Sequence, residues 1–167
     1  MKISDWLKIK IRPFMRPLIS FFLYFIYETP HIIGNSGKLI KGKKVVVNNT
    51  LFNLSSGSII IGDFSFFGYN VTVLTGTHRF SDGQRLGLQE LQETDSWGAE
   101  NTEVPKEGLD IIIGSGTWIC SGATILGGVK IGNNAIISSG SLVTKDVPDY
   151  GIFAGVPGKL IGDTRNL

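Results

Sequence analysis

In the second half of the chain, apolar residues recur at neither helical nor simple strand spacing but at every sixth position. From Ile113 the sequence reads IGSGTW, ICSGAT, ILGGVK, IGNNAI, ISSGSL, VTKDVP, placing Ile113, Ile119, Ile125, Ile131, Ile137 and Val143 in one phase. Four places further on stand Thr117, Ala123, Val129, Ala135, Ser141 and Val147, all small or β-branched. At average residue usage, six such hexads in a row would arise by chance on the order of once in a million sequences.

A period of six suits neither a helix stripe at 3.6 nor a strand alternating at two. It predicts a solenoid with three short flat faces per coil. The aliphatic residue of each hexad points inward, and the small residue lets the chain turn the corner beside it. Gly or Asn between them provides the permissive backbone that the corner needs. Stacked coils then sit about 4.8 Å apart as parallel strands.

The same phase occurs earlier as IGDFSF, FGYNVT, VLTGTH, with Ile61, Phe67 and Val73 inward and Ser65, Val71 and Thr77 at the corners. Residues 45–60 are patchily apolar and predict a further, less regular coil. The phase breaks between His78 and Ile111, in a stretch rich in Gly, Asp, Glu and Gln. An insert of that length inside a compact domain usually carries function or is disordered. Three parts follow: an N-terminal segment at 1–44, a repeat domain at 45–167, and an insert at 79–110 within it.

Composition agrees with a turn-rich β structure, since the 167 residues include 22 glycines and only 18% charged residues, against about 25% in ordinary globular chains. The single cysteine, Cys120, cannot form an internal disulfide, which leads to the expectation of a cytoplasmic protein. Charge is unevenly spread. Residues 1–44 carry nine Lys or Arg against Asp5 and Glu28, whereas residues 79–110 carry eight Asp or Glu against Arg79, Arg85 and Lys106. The basic start favours an anionic surface, and the acidic insert argues against a nucleic-acid groove there.

Only two histidines occur, His31 and His78. His31 precedes the repeats and reads as a turn residue. His78 closes a coil and opens the insert, where a side chain meets a cleft. Its imidazole is suited to general-base work near neutral pH. No Ser-His-Asp spacing points to a covalent intermediate, and two histidines cannot supply the three zinc ligands of a carbonic anhydrase built on such a solenoid. Cys120 reads as a packing residue.

Beyond the period, LTGTHRF around His78 resembles the active-site turn of the hexapeptide-repeat acyltransferases, in particular the galactoside, maltose and colanic-acid O-acetyltransferases. The resemblance runs from about residue 45 to 160. It implies an all-β, left-handed parallel β-helix of eighteen residues per coil; handedness comes from the resemblance alone. It also implies acetyl-CoA as co-substrate, no metal, a homotrimer, and direct transfer to a sugar hydroxyl with His78 as the base. In GTWICSG, Trp118 falls where the family's tryptophan borders the site and Ser121 where a serine contacts coenzyme A. ISSGSLVTKDVP resembles the signature that holds pantetheine and phosphates, which assigns Ser139, Thr144 and Lys145 to the cofactor. FAGVPGK matches the loop along the nucleotide, adding Ala154 and Lys159. Three places after Lys159, family members often have a second basic residue; here it is Gly162. Asn48 or Asn49 falls at a weakly aligned acceptor-site asparagine. The acceptor would be a sugar in surface-polysaccharide or related glycan assembly. Transfer to the amine of an amino sugar, and a scaffold without chemistry, stand as alternatives.

The first 27 residues combine Lys2, Lys8, Lys10, Arg12 and Arg16 with an apolar run from Leu18 to Tyr27. A run of about ten residues is too short to span a bilayer, which takes about twenty. No small-x-small cleavage site follows it, and Pro13 and Pro17 are expected to break a single helix. Two readings remain open: a short, partly helical element lying on the anionic inner face of the membrane, where the acceptor would be lipid-linked, or a cap over the open end of the solenoid.

Overall fold

The computed structural model of the chain describes residues 15–23, 29–78, 80–81, 84–85, 104–105 and 107–167. The expected inward residues are at its centre. Strands of two or three residues wind through three faces, and each strand hydrogen-bonds to the parallel strand one coil away.

Sheet A stacks β1 (His31–Ile33), β3 (Leu51–Asn53), β6 (Thr72–Leu74), β11 (Thr124–Leu126) and β14 (Leu142–Val143). Sheet B stacks β2 (Leu39–Lys41), β4 (Ile59–Ile61), β9 (Ile111–Ile113) and β12 (Lys130–Ile131). Sheet C stacks β5 (Phe66–Phe67), β10 (Trp118–Ile119), β13 (Ile136–Ile137) and β15 (Gly151–Gly155), and the antiparallel β16 (Gly158–Asp163) closes it. A separate antiparallel pair, β7 (Phe80–Ser81) and β8 (Gln84–Arg85), follows His78. The architecture is a left-handed parallel β-helix of the hexapeptide-repeat kind.

Five coils are counted along sheet A. Phe52, Val73, Ile125 and Val143 align in one interior column and Phe67, Ile119, Ile137 and Phe153 in another, all buried. Thr117, Ala123, Val129, Ala135, Ser141 and Val147 are buried beside them, as their small size requires. Thr77 departs from expectation and is exposed, because the chain leaves the coil there instead of turning.

Two corner rows take positive φ: Asn48, Asn70, Gly122 and Gly140 between sheets C and A, and Lys44, Phe64, Gly116, Asn134 and Tyr150 between B and C. The Gly or Asn expected there is replaced at three positions. Lys44 and Phe64 stack, ammonium over ring at 5.8 Å, and Tyr150 lies under the Arg165 guanidinium at 4.8 Å. Side chains also tie coil to coil along the B–C corner. The Oδ1 atoms of Asp63, Asn133 and Asp149 accept from the backbone N–H groups of Lys43, Ser115 and Asn133 at 2.7–2.9 Å.

The solenoid begins earlier than the hexads indicate. β1 and β2 pair with β3 and β4, so a boundary at residue 45 falls inside the sheets and the first coil starts at His31. Ile32 lies beneath Phe52 and Phe52 beneath Val73, at spacings of 20 and 21 residues, against 18 between Ile125 and Val143. Longer corners before Ile61 therefore hide the period.

Residues 15–23 form a helix, α1. Pro17 is accommodated within it. None of its residues is buried, and Met15, Leu18, Ile19, Phe21, Phe22 and Leu23 are exposed. This part of the N-terminal segment is not packed as a cap.

Candidate active site

The insert interrupts a single corner, between sheets A and B in the third coil. The chain leaves β6 through Thr75 and Gly76 to the exposed His78. It returns at Leu109, whose N–H donates to the Ser56 carbonyl at 3.1 Å. Asp110 Oδ1 then accepts from Ser58 N–H at 2.6 Å, and β9 resumes in register on β4 with Ile111 opposite Ile59. Most of the insert, 79–110, lies outside the described residues. What is described shows a break that leaves the stack undisturbed and sets His78 at its mouth.

The other candidates separate into two groups. Val73, Ile125 and Val143 share a column, so Thr75, Gly127 and Lys145, each two places on, share the A–B corner. Thr144 and Lys145 are exposed there, two coils from the strand that leads to His78. That is about 10 Å at the usual strand spacing.

Trp118 projects from the outer surface of sheet C, 49% exposed, while its neighbour Ile119 is buried. Ser121 and Ser139 are exposed at the C–A corner. Ser121 Oγ accepts from Tyr69 N–H at 3.0 Å, and the Ser139 hydroxyl bonds with the Cys120 thiol. Burial pushes that thiol up, against the smaller downward pull of Ser139, so Cys120 is not an activated nucleophile. Ala154 and Lys159 face each other across the closing hairpin, next to Gly155, whose N–H donates to Ser141 Oγ at 3.3 Å. Ser121, Ser139, Ala154 and Lys159 thus line one edge of the prism, with Trp118 on the sheet C face nearer the B–C corner, and His78, Thr144 and Lys145 line another edge. A face width of roughly 15–20 Å separates the edges.

Asn48 belongs to the C–A corner. Its φ is +41°, and Nδ2 donates to the Phe67 carbonyl at 2.7 Å. Asn49 bonds reciprocally with Asn70 through both side-chain groups. Both asparagines hold coils together, on the edge away from His78. The division could have been read from spacing: Ser121 and Ser139 are 18 apart and must share a corner, whereas Lys145 lies six beyond Ser139 and must lie one corner further on.

The C–A corner can accept an extended ligand. A Cβ placed at Gly140 would meet nothing within 4 Å, and at Gly122 the nearest atom is 3.8 Å away. This open strip is flanked by the hydroxyls of Ser121 and Ser139, with the Lys159 cation at one end. That donor set fits a pantetheine arm and its phosphates.

A fold with an exposed histidine at its one described break, and an open serine-lined edge, defines a class. Residues 110–145 match the family model described as bacterial transferase hexapeptide (six repeats), and the chain is a hexapeptide-repeat protein related to the acetyltransferases. It is 32% identical over 132 residues to a galactoside O-acetyltransferase of Lactococcus lactis subsp. lactis, covering 78% of this chain and 56% of the relative. It is 36% identical over 106 residues to a chloramphenicol acetyltransferase of Klebsiella aerogenes, covering 62% and 50%. A solved galactoside acetyltransferase in complex with coenzyme A superposes with a TM-score of 0.65 at 30% identity, over 82% of this chain and 60% of that one. The chain therefore spans between half and six tenths of the length of these relatives.

Proposed function

We propose that this protein transfers the acetyl group of acetyl-CoA directly to a hydroxyl of a sugar, in the assembly of a surface polysaccharide or related glycan, with His78 as general base. The observation that carries this reading is the position of His78, exposed at the corner where the solenoid opens and resumes in register. Kinship with galactoside O-acetyltransferases favours a sugar hydroxyl over an amine.

Acetyl-CoA supplies an acetyl group already activated as a thioester. Ser121 and Ser139 would hold the pantetheine, with Trp118 and Ala154 bordering it. Thr144, Lys145 and Lys159 would hold the phosphates. His78 removes the proton from the acceptor hydroxyl as its oxygen bonds to the acetyl carbon. The C–S bond breaks, and the proton held on His78 is available to the departing thiolate. Atoms and charge balance without a covalent enzyme intermediate.

The two edges argue for a homotrimer. One protomer cannot bring the Ser121 edge to its own His78, but closed threefold packing sets one protomer's edge against the next. We further propose that the protein works at the cytoplasmic face of the membrane through residues 1–27, on a lipid-linked acceptor. Support comes from the exposed apolar side chains of α1. Among the described residues no helix is long and apolar enough to cross a bilayer.

The test is mass spectrometry of candidate glycans incubated with acetyl-CoA, with thiol release followed in parallel. A 42 Da gain that is stable to amine-specific deacylation but lost in mild base supports the reading. A gain on an amine, or no binding of coenzyme A in a direct titration, overturns it.

A further inference from the structure

The first coil differs chemically from the four above it. β1 and β2 are the outer strands of sheets A and B, so their outward backbone groups have no strand partner among the described residues. The interior column through Phe52 and Val73 starts at Ile32, which is 41% exposed. The column through Ile61, Ile113 and Ile131 starts at Lys41, an exposed cation where every later coil buries an aliphatic residue. Ile33 and Ile40 are exposed beside them.

Around these three isoleucines stand Lys38, Lys41, Lys43 and Lys44, and no Asp or Glu occurs from residue 29 to residue 62. The first carboxylate reached, Asp63, uses Oδ1 to accept from the backbone N–H of Lys43, not from its ammonium. From residue 29 to residue 62 the coil end is thus apolar at its rim, and the charged side chains there are all lysines. α1 must lie near the same end. Seven residues lie between Leu23 and His31, eight chain steps with a reach of at most about 27 Å.

We infer that the open N-terminal end of the β-helix is itself a docking face for an anionic phospholipid bilayer. The lysines meet headgroup phosphates, and Ile32, Ile33 and Ile40 enter the interfacial layer. A soluble polyanion would be matched by lysines alone; exposed aliphatics between them select a charged surface with an apolar layer beneath. The consequence for the site is a height. β6 is two strands from β1 in sheet A, so the corner that leads to His78 stands about 10 Å above the docked coil, within reach of a headgroup-linked sugar. The inference rests on the membrane part of the proposal, not on acetyl transfer.

The experiment is co-sedimentation of the full chain with vesicles of phosphatidylcholine, with and without a third phosphatidylglycerol. Two variants go beside it: K41Q/K44Q in the coil and F21S/F22S in α1. All substituted residues are exposed, and thermal melting checks that folding is retained. Each lysine near an anionic surface is worth about fivefold in partitioning, so K41Q/K44Q should bind anionic vesicles about 25-fold more weakly, with a shallower salt dependence. I40S should also weaken binding. If K41Q/K44Q binds like the unmodified chain while F21S/F22S does not, the coil is not a docking face and α1 alone makes the contact. If the unmodified chain ignores anionic vesicles at low salt, both readings fall. If K41Q/K44Q self-associates without lipid and its soluble fraction binds normally, the lysines only guard the sheet edges, and the inference is overturned.

Discussion

Gly114 and Gly140 occupy corners in neighbouring coils, yet alanine should affect them very differently. At Gly114, an added Cβ would lie 2.6 Å from the backbone nitrogen of Asn133 and 2.7 Å from the Gly132 carbonyl carbon. Both atoms are backbone of the next coil, so no side chain can swing away. Reaching even a tight contact near 3.0–3.4 Å requires the coils to separate locally by about 0.4–0.8 Å from their spacing of about 4.8 Å. The hydrogen bond from Gly114 N–H to the Ile131 carbonyl, now 2.8 Å, would stretch past the useful range. One weakened ladder bond at about 1 kcal/mol and overpacking at about 1–3 kcal/mol add to roughly 3 kcal/mol. At Gly140 the space is empty, and the cost is only that of holding an L-residue at φ +67°, about 1 kcal/mol. For a chain of this size 1 kcal/mol moves the melting temperature by about 2–4 °C. Gly114→Ala should therefore lower it by about 6–12 °C and Gly140→Ala by about 2–4 °C, read by calorimetry at one protein concentration. Equal losses, or a larger loss at Gly140, would show that coil spacing is not set by this close approach.

His78→Ala should lower acetyl turnover by roughly a hundredfold to ten-thousandfold, the usual worth of a positioned base, while coenzyme A affinity in a direct titration stays within about twofold; near-normal turnover would falsify the assigned base. Lys145→Ala and Lys159→Ala should each weaken coenzyme A binding by roughly tenfold without changing the melting temperature, and unchanged affinity in both would remove them from the cofactor grip. The Arg165 side chain donates to Asp163, Nη2 to Oδ2 at 2.6 Å, and holds that carboxyl at about 2. Because the folded-state value is depressed, any stabilisation from this pair is complete above the ordinary carboxylate range and disappears as pH falls towards 2. A carboxyl titration by NMR should show Asp163 rising towards the ordinary range in Arg165→Ala, short of a full return because the residue 165 backbone N–H still donates to its Oδ1, and no movement would mean that the side-chain pair does not persist in solution.

How much of this was legible beforehand depends on whether neighbouring coils were equal. From Ile61 to Val143 each face consumes six residues, apart from the one insert, so the phase of Ile113 through Val143 identified the interior positions of that stretch, and the break after His78 marked where the stack is interrupted; the last coil takes 16, with Phe153 above Ile137. The same regularity places Ser121 and Ser139 on one corner and Lys145 on the next. Before Ile61 the coils take 20 and 21 residues, and Lys41 stands where the pattern calls for an aliphatic. A one-dimensional pattern cannot reveal a strand whose inner position has nothing beneath it to pack against.

The sequence by itself determined the solenoid and its interior, because a buried column must be aliphatic at every level and that demand is written residue by residue. Only the tertiary structure decided where the stack begins and which glycines are irreplaceable. These depend on the distance between coils, and that distance is set by contacts between residues about twenty apart, or across the insert about fifty, which no local pattern encodes.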